Sequence, residues 1–229
     1  MKVQLRQSAA HVFVDDLSKP HLSDDDRHHL LRVLRVGLRE DISVCDGRGS
    51  WSLATIGQDG ELQLKGECLT EMQHSPVLTV AFAPTKGDRP DDVVRKLTEI
   101  GIDRIVPIVG TKRGVVRWEG AKAEKHSIRL ARIAREAAMQ SRRLWLPEIT
   151  EPCALVNVVT LYAAALAEPG GAQIEPTHTC IAIGPEGGFS ADELELSQQH
   201  VSLGDGVLRG ETAAIVAGAL MAAQRWENS

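Results

Sequence analysis

The sequence predicts an α/β protein in which a small β-rich domain precedes a larger domain built on a largely parallel sheet. From residue 77 onward, short apolar segments alternate with amphipathic helical segments, which is typical of parallel strands joined by helices. Before that point the chain has short strand-like segments separated by turn residues. A polar stretch over 70–76 separates the two patterns. We therefore expect one domain over 1–72 and a second over 76–229.

The N-terminal domain is predicted to contain one helix and several short strands. Ser23 can cap the start of the helix, and the aspartates that follow suit the positive end of its dipole. The helix then carries apolar residues from Leu30 to Leu34. The predicted strands lie between turn residues and cover 12–14, Ile42–Cys45, 52–56 and 62–64.

The C-terminal domain is predicted to alternate between strands and helices. The first helix has a proline, Pro90, near its start and ends at Gly101. Two further helices are expected over 125–141 and 212–226. A capping box of Ser190 and Glu193 predicts the start of another helix between them. Apolar segments indicate strands over 77–83, 102–109, 159–167 and 179–183.

The composition is that of an ordinary globular protein, with 43% hydrophobic and 25% charged residues among 229. The apolar stretch over 162–167 is far too short to cross a bilayer, and the polar residues 1–10 do not resemble a signal peptide. We therefore expect a cytoplasmic protein with no membrane partner. The four cysteines are widely spaced without zinc-ligand spacing, so we expect reduced thiols and no metal.

Charge is distributed unevenly along the chain. The formal net charge is −5, but residues 112–143 carry a local net charge of +7 and residues 144–229 one of −9. A basic block of this kind can form a phosphate-binding patch even in an acidic chain. The charge pattern alone fits a solvated helix face equally well.

The basic block contains the predicted helix over 125–141, which is amphipathic. Four of its residues share one face, namely Lys125, Arg129, Arg132 and Glu136. The opposite face carries apolar or small residues, namely Leu130, Ala134, Ala137 and Ala138. One face is therefore expected to pack on the sheet, while the other, extended by Arg142 and Arg143, offers a cationic ridge suited to phosphate contacts.

Two glycine-rich segments follow predicted strands in the second half of the chain. The first runs from the strand over 179–183 through Gly184, Pro185, Glu186, Gly187 and Gly188 into a capped helix. Ligands bind at the carboxyl ends of parallel strands, and glycines let the backbone approach a ligand closely. No Lys-Ser or Lys-Thr pair follows the glycines, so this is not a Walker A loop. A plain tight turn is the alternative interpretation.

The second segment runs from a short strand near Leu203 through Gly204 and Gly206 to the final helix. Two such loops in succession suggest one ligand held between neighbouring strand ends. Arg209 and Glu211 flank this turn. An Arg–Glu pair that only holds the loop in place would explain the same spacing.

These residues carry a resemblance to a known family. The series Gly184-Pro185-Glu186-Gly187-Gly188-Phe189-Ser190 with Glu193, followed by Leu203-Gly204 and by Leu208-Arg209, Glu211, Thr212 and Ala213, resembles the RsmE family of 16S ribosomal RNA uridine N3-methyltransferases. Further blocks match in the same order, and they contain His29-Leu30 with Val33-Leu34-Arg35, Lys96 with Glu99 and Gly101, and Arg135-Glu136-Ala137-Ala138 with Gln140-Ser141 and Arg143.

The resemblance implies an N-terminal PUA-like RNA-binding β-barrel and a C-terminal SPOUT domain with a trefoil knot. It also implies binding of S-adenosylmethionine, a homodimer, and 16S rRNA of the small ribosomal subunit as the substrate. The small-residue, apolar final helix over 212–223 agrees with a dimer. The residues expected to bind the cofactor are Leu166, Gly184, Pro185, Glu186, Gly187, Gly188, Leu203, Gly204, Leu208, Thr212 and Ala213. Those expected to bind RNA are Arg32, Arg35, Arg129, Arg132, Arg142 and Arg143.

The sequence departs from the family pattern at three places. Arg39-Glu40-Asp41 stands where the family commonly has Pro-Gly-Asp or a similar turn. Gly206 replaces a residue that is commonly basic, and Gly210 replaces a common threonine. The last two substitutions are expected to loosen the second glycine-rich loop while leaving Arg209, Glu211 and Thr212 in place.

Methyl transfer from a sulfonium requires positioning more than further activation, so the sequence predicts few catalytic groups. Arg209 is the candidate for stabilising the negative charge that spreads to the uracil carbonyls when N3 loses its proton. Glu211 is the candidate base, with solvent or another residue as the alternative. N3 lies on the Watson–Crick edge, so the target base must be unpaired or flipped out.

Two other functions fit parts of this pattern. One is a different knotted RNA methyltransferase that acts on a ribose of tRNA or rRNA. The other is a non-catalytic RNA-binding assembly factor that kept the fold. The full-length order of the motifs argues against the first alternative, and the intact glycine-rich loops argue against the second.

Overall fold

The computed structural model describes residues 3–58 and 60–227, and the chain forms two compact units. The N-terminal unit contains Met1–His74 together with Ala138–Leu146, and the C-terminal unit contains Ser75–Ala137 together with Pro147–Ser229. Residues 138–146 therefore belong to the N-terminal unit, although the sequence analysis places them in the second domain.

The N-terminal unit is built on a four-stranded sheet in the order β1-β2-β3-β4 among the described residues. β1 (His11–Phe13) pairs with β2 (Ile42–Cys45) in parallel, and the pairs of β2 with β3 (Ser50–Ile56) and of β3 with β4 (Leu62–Thr70) are antiparallel. Two short helices accompany the sheet, α1 (Val3–Gln7) and α2 (Asp24–His28). The four predicted strands are confirmed, with β4 longer than expected.

The start of α2 follows the predicted capping. Ser23 adopts an extended conformation, and its hydroxyl oxygen accepts a hydrogen bond from the backbone N–H of Asp26 at 3.1 Å. The helix continues as a π-helical turn over His29–Val33, which buries Leu30 but leaves Val33 and Leu34 exposed. Only some of the apolar residues expected in this helix are therefore buried in the core.

Residues 138–146 pack into the N-terminal unit through polar as well as apolar contacts. The indole N–H of Trp145 donates to the carbonyl of Glu71 at 3.0 Å. The imidazole of His11 lies within hydrogen-bonding distance of the carbonyl of Arg143, at 2.9 Å, and of the hydroxyl of Ser43, at 2.8 Å. This segment is therefore a structural part of the N-terminal unit.

The C-terminal unit contains a seven-stranded sheet among the described residues, in which every recorded pair is parallel. Its strands are β5 (Thr79–Phe82), β6 (Arg104–Val109), β7 (Glu148–Ile149), β8 (Cys153–Ala154), β9 (Ala165–Ala172), β10 (Cys180–Ile183) and β11 (His200–Val201). The order is β11-β9-β10-β5-β6-β7, with β8 also paired to β6. The predicted parallel α/β architecture is confirmed.

Helices connect these strands and cover the sheet. They are α3 (Arg89–Ile100), α4 (Ala121–Gln140), α5 (Leu155–Tyr162), α6 (Ala191–Leu194) and α7 (Gly210–Glu227). α3 contains Pro90 in its first turn and ends at Gly101, whose φ of 109° provides the left-handed cap. α4 buries Leu130, Ala134 and Ala137 as predicted, because these residues lie on one face. Ala138 is also buried, but in the core of the N-terminal unit.

One predicted strand is wrong over its first half. Residues 159–162 end helix α5, which buries Leu155 and Val158, and the strand β9 begins only at Ala165. Ala163 adopts a left-handed conformation with φ of 49° and reverses the chain between the two elements. The β-branched residues of this segment favour a strand locally, but packing of the apolar side of α5 decides the outcome.

The final helix α7 packs on α3 in the same chain. Gly218 lies so close to α3 that a Cβ there would be 2.6 Å from Cδ2 of Leu97. At the end of the helix, the buried guanidinium of Arg225 donates to the carboxylate of Asp103 at 2.5 Å. The small residues that suggested a dimer surface are therefore used for packing within the subunit.

The cysteines Cys45, Cys68, Cys153 and Cys180 are free, as expected. Burial raises the pKa of the Cys45 and Cys180 thiols to about 12, so these two groups stay protonated at neutral pH. Within 3–58 and 60–227, the structure contains no helix long and apolar enough to span a membrane.

Candidate functional site

A cleft of about 700 Å³ lies at the ends of the strands β10 and β11 and beside the middle of β9. These strands are neighbours in the parallel sheet, so their carboxyl ends meet at one edge. The loops after β10 and β11, together with residues 167–169 within β9, form walls of the cleft, which we call the glycine cleft. The predicted convergence of the two glycine-rich loops is confirmed.

Most residues expected to bind a cofactor line the glycine cleft, namely Gly184, Pro185, Glu186, Gly187, Gly188, Leu203, Gly204, Leu208 and Ala213. Leu166 and Thr212 do not line it. Leu166 is fully buried in β9, and its neighbours Ala167 and Glu168 line the cleft instead. Thr212 is exposed in the first turn of α7.

The loop after β10 is held by the predicted capping box. Glu193 Oε2 accepts hydrogen bonds from the backbone N–H and the hydroxyl of Ser190, at 2.8 and 2.9 Å. Its Oε1 accepts from the backbone N–H of Lys112 at 2.8 Å. Burial opposes ionisation of Glu193, but the hydrogen bonds from Ser190 and Lys112 outweigh it and lower the pKa of the carboxyl. A charged Glu193 therefore ties this loop to the segment after β6.

Arg113 adds a second connection between these segments, which sequence reasoning missed. Its Nη1 donates to the carbonyl of Gly187 at 2.7 Å and to that of Phe189 at 3.1 Å. A Cβ on Gly187 would lie 3.2 Å from Cβ of Arg113, so glycine is the residue that fits there. Arg113 also lines the glycine cleft. It therefore sets the position of the loop's backbone.

The loop between β11 and α7 is open on the side of the glycine cleft. Gly204 has a φ of 137°, a conformation that favours glycine. A Cβ on Gly206 would meet no atom within 4 Å, and Gly206 does not need a left-handed conformation. The departures from the family pattern therefore leave free space in this wall.

The structure separates the two predicted catalytic residues. Arg209 is exposed and lines the glycine cleft, and among the described residues it has no carboxylate partner. Glu211 does not line the cleft. Its Oε1 lies 3.8 Å from Nε of Arg89, and its Oε2 is buried without a hydrogen bond. The alternative of an Arg209–Glu211 pair is therefore wrong.

Arg89 is a second residue that sequence reasoning missed. Its Nη1 donates to Oε1 of Glu186 at 2.8 Å, and its Nε faces Glu211. Arg89 stands in the first turn of α3, so it connects this helix with the loop after β10 and with the first turn of α7. In the sequence it is simply an arginine beside a predicted helix start, and arginines occupy such positions in many helices that bind no ligand.

The residues expected to contact RNA have different surroundings. Arg132 is 71% exposed and lies 3.4 Å from Glu136, whereas Arg129 pairs with both Asp88 and Asp91. These carboxylates hold the pKa of Arg129 above its usual value through hydrogen bonds, with that of Asp91 first. The guanidinium of Arg129 is therefore less available to bind phosphate than the sequence analysis expected.

Arg142 has a structural role that contradicts its expected place on the ridge. Its guanidinium donates to the carbonyls of Leu5 and Ser8, both at 2.6 Å, and to the Ser8 hydroxyl. Arg143 is half-buried in the same segment. Arg32 and Arg35 are exposed in the N-terminal unit. Fixed carbonyl contacts leave Arg142 unsuited to binding phosphate.

Comparison with known proteins gives consistent results. Residues 73–222 match the model of a family described as RNA methyltransferase domain. The chain is 33% identical over 216 residues to ribosomal RNA small subunit methyltransferase E of Synechocystis, covering 83% of this chain and 68% of the relative. It is 30% identical over 231 residues to the protein of that name from Mycobacterium bovis, covering 90% and 87%.

Solved structures resemble the whole fold. Ribosomal RNA small subunit methyltransferase E from Neisseria gonorrhoeae, bound to S-adenosylmethionine, has a TM-score of 0.76 and 26% identity, covering 93% of this chain and 96% of that chain. A structure from Legionella pneumophila with bound S-adenosylmethionine has a TM-score of 0.79 and 27% identity, covering 93% and 96%.

Proposed function

This chain belongs to the RNA methyltransferase family, and from this premise we propose that it methylates N3 of a uridine in 16S ribosomal RNA. Its relatives and the structures with bound cofactor identify it as an S-adenosylmethionine-dependent methyltransferase of small-subunit ribosomal RNA. The choice of uridine N3 as the acceptor atom rests on the resemblance to the RsmE motifs around Gly184–Ser190 and Leu208–Ala213.

The observation that carries the proposal is the glycine cleft itself. The parallel strands β10 and β11 end there on either side of β9, and both of the following loops are rich in glycine. A cleft of about 700 Å³ is large enough for a nucleoside-sized cofactor with room beside it for part of a substrate.

The residues of the glycine cleft fit S-adenosylmethionine. The backbone is accessible at Gly204 and Gly206, where a Cβ would meet no neighbouring atom, so main-chain groups can contact the cofactor closely. Glu168 also lines the cleft and complements a positively charged ligand, whereas Glu186 is paired with Arg89. When bound, the cofactor supplies a methyl group on a positively charged sulfur. Leu166 and Thr212 do not line the cleft and are not part of the proposed contact set.

Arg209 is proposed to act on the uracil ring. When N3 loses its proton, negative charge spreads to the carbonyl oxygens at C2 and C4, and a guanidinium can stabilise it by charge-assisted hydrogen bonds. Arg209 suits this role because it is exposed in the cleft without a carboxylate partner in the described chain. Glu211 does not reach the cleft, so we assign it to positioning Arg89 and assign solvent as the acceptor of the proton.

The two units are proposed to divide RNA binding and catalysis. The sheet of the N-terminal unit is proposed to belong to a PUA-like barrel that contacts RNA through Arg32 and Arg35. The C-terminal unit is proposed to be a SPOUT domain whose chain forms a trefoil knot around the glycine cleft. The parallel sheet and the likeness to the S-adenosylmethionine-bound structures support this assignment. We place the protein in the cytoplasm, where its rRNA substrate is found.

A homodimer is also proposed, although the surface proposed to form it differs from the one expected from the sequence. The small residues of α7 pack on α3, so the surface available for a partner is the other side of the helix. That side exposes Leu220, which is 41% exposed, together with Ala219 and Ala223. Light scattering at micromolar concentration should give twice the subunit mass of 24.9 kDa, and a monomeric mass would contradict the dimer.

Nucleosides from the small subunits of a strain that lacks this protein provide the test in cells. Mass spectrometry should detect loss of 3-methyluridine from 16S rRNA, with recovery when the wild-type chain is returned. Recovery should fail with Arg209→Ala. Undiminished 3-methyluridine in the deletion strain would contradict the proposed function.

A further inference from the structure

A second cavity, of about 320 Å³, lies in the C-terminal unit and has no assigned role. Its walls include Trp118 and His126, the exposed Lys86, and Val115, which is 68% exposed. We call it the aromatic pocket. We propose that it binds one unpaired nucleotide of the RNA substrate, an inference that rests on the proposed function and deepens it.

The rings of Trp118 and His126 give the pocket its chemistry. They stack on each other at 4.1 Å between centroids with an interplanar angle of 8°, so the outer face of the half-buried His126 is the flat surface left for a base. Trp118 is only 7% exposed and packs in the main core, which fixes the orientation of the stack. Proteins bind splayed-out bases by stacking them on such rings, and a base stacks on an aromatic surface whatever its sequence.

One cation of the pocket is available to a phosphate group. Lys86 lines the pocket, and within the described chain it has no ion-pair or hydrogen-bond partner. Arg129 also lines the pocket, but Asp88 and Asp91 already neutralise it. Lys86 is therefore the cation left to contact a phosphate, next to aromatic rings that can contact the base.

The position of the pocket connects it with catalysis. The first turn of α3 forms walls of both cavities, because Arg89 lines the glycine cleft and the adjacent Pro90 lines the aromatic pocket. A Cβ on Gly210, in the wall of the glycine cleft, would lie 3.8 Å from Cγ2 of Thr85, in the wall of the pocket. RNA with its target uridine at Arg209 therefore runs close to the pocket.

Arg129 is a positioning residue in this proposal. By pairing with Asp88 in the β5–α3 segment and with Asp91 in α3, it holds the segment that carries Lys86 against α4. Gly87 in this segment has a φ of 77°, and a Cβ there would meet no neighbouring atom. The backbone beside Lys86 is therefore accessible to a ligand.

Steady-state methyl transfer to unmodified small subunits tests the proposal with the full chain. His126→Ala and Lys86→Ala should each raise KM for the subunit roughly fivefold or more, because each removes a nucleotide contact. His126→Phe keeps a flat ring and should return KM to within about twofold of wild type, which a loss of general packing would not explain. Lys19→Ala removes an exposed lysine of the other unit and controls for charge. The S-adenosylmethionine Kd should not change in any of these variants.

Binding of a labelled single-stranded uridine oligonucleotide tests the aromatic pocket independently of the proposed function. If the wild-type chain binds this RNA but transfers no methyl group to unmodified small subunits, the proposed function fails, and the pocket is judged on binding alone. The pocket predicts that His126→Ala weakens binding of the intact oligonucleotide and has no effect with a fully abasic strand. Equal affinities of wild type and His126→Ala for the intact strand would overturn it, as would equal impairment by His126→Ala and His126→Phe.

Discussion

The buried imidazole of His11 makes the stability of the N-terminal unit depend on pH. Burial, with a smaller contribution from the positive charge of Arg142, lowers its pKa from 6.5 to about 4, and the hydrogen bond to the Arg143 carbonyl only partly opposes this. The unfolded chain therefore binds a proton at a higher pH than the folded chain does. Stability is complete above the unfolded pKa and is lost as pH falls from about 6.5 towards 4.

We expect the free energy of unfolding to decrease by about 3 kcal/mol across this window through His11 alone, since each pKa unit corresponds to about 1.4 kcal/mol. Urea unfolding between pH 7.5 and 4.5 measures the decrease. His11→Gln, which cannot take up the proton, should show a smaller decrease by that amount. Parallel pH profiles of the two proteins would contradict the assignment.

Gly206 is the residue that best tests the position of the cofactor. Its Cβ would enter open space in the glycine cleft without backbone strain, so Gly206→Leu should place a side chain in the cleft while the protein stays folded. We expect the Kd for S-adenosylmethionine to rise tenfold or more, about 1.4 kcal/mol. Calorimetry measures this value. An unchanged Kd with an unchanged melting temperature would show that the cofactor does not bind beside Gly206.

Gly187 is less suited to this experiment. A side chain there would first displace Arg113 and would test the loop instead of the cleft.

Among the structural elements, the loop after β10 depends on an arginine from the segment after β6. Arg113→Met keeps much of the aliphatic volume but removes the donor to the carbonyls of Gly187 and Phe189. These charge-assisted bonds hold the backbone in the wall of the glycine cleft, so we expect roughly a fivefold or larger rise in the S-adenosylmethionine Kd. Arg113→Lys should be impaired as well, because one ammonium lacks the planar fork of a guanidinium.

The matched control for Arg113 is Arg117→Met. Arg117 belongs to the same basic segment, but its recorded hydrogen bond is to the nearby carbonyl of Gly114. It should leave the S-adenosylmethionine Kd within about twofold of wild type. Equal effects of the Arg113 and Arg117 variants would mean that net charge, not the backbone contacts, determines cofactor affinity.

The sequence correctly predicted the helix ends that depend on residues close together in the chain. The cap at Ser23, the glycine end of α3 and the capping box at Glu193 all depend on residues within one helical turn. The boundary between α5 and β9 was wrong because burial of Leu155 and Val158 overrides the local strand preference. The similar strand-to-helix context of the two glycine-rich loops predicted that they meet, but the strand order, with β9 between β10 and β11, was not predicted.

The candidate site was only partly predictable for a related reason. Arg113 contacts Gly187 across 74 positions of sequence, and Arg89 contacts Glu186 across 97. No spacing rule links residues so far apart. Arg142 and Arg129 were misjudged because a sequence shows how many charges a segment has but not which carbonyls and carboxylates surround them. The exposed face of α4, which depends on helical periodicity alone, was predicted correctly.

At the scale of the whole molecule, RNA affinity is expected to depend on a smaller set of cations than the basic block contains. Lys125 and Arg132 are exposed on α4, whereas Asp88 and Asp91 neutralise Arg129. Each phosphate contact releases counterions, so Lys125→Ala/Arg132→Ala should reduce the slope of log affinity against log salt by about two. Filter binding over a salt series measures the slope.

Arg129→Ala is the comparison for this pair. It should lower the melting temperature through the loss of its two ion pairs and change the salt slope less than the double variant does. A larger change in slope for Arg129→Ala than for the double variant would contradict the expectation that Lys125 and Arg132 contact RNA more than Arg129 does.

The identity of the methylated atom tests the central claim most directly. The purified full-length chain is incubated with unmodified small subunits and isotope-labelled S-adenosylmethionine, and the digested nucleosides are analysed by mass spectrometry. The account predicts one labelled product, 3-methyluridine, whose label stays with the base when the glycosidic bond is broken, and no product with Arg209→Ala. Label that stays with the ribose, or no label in 16S rRNA with the wild-type chain, would contradict it.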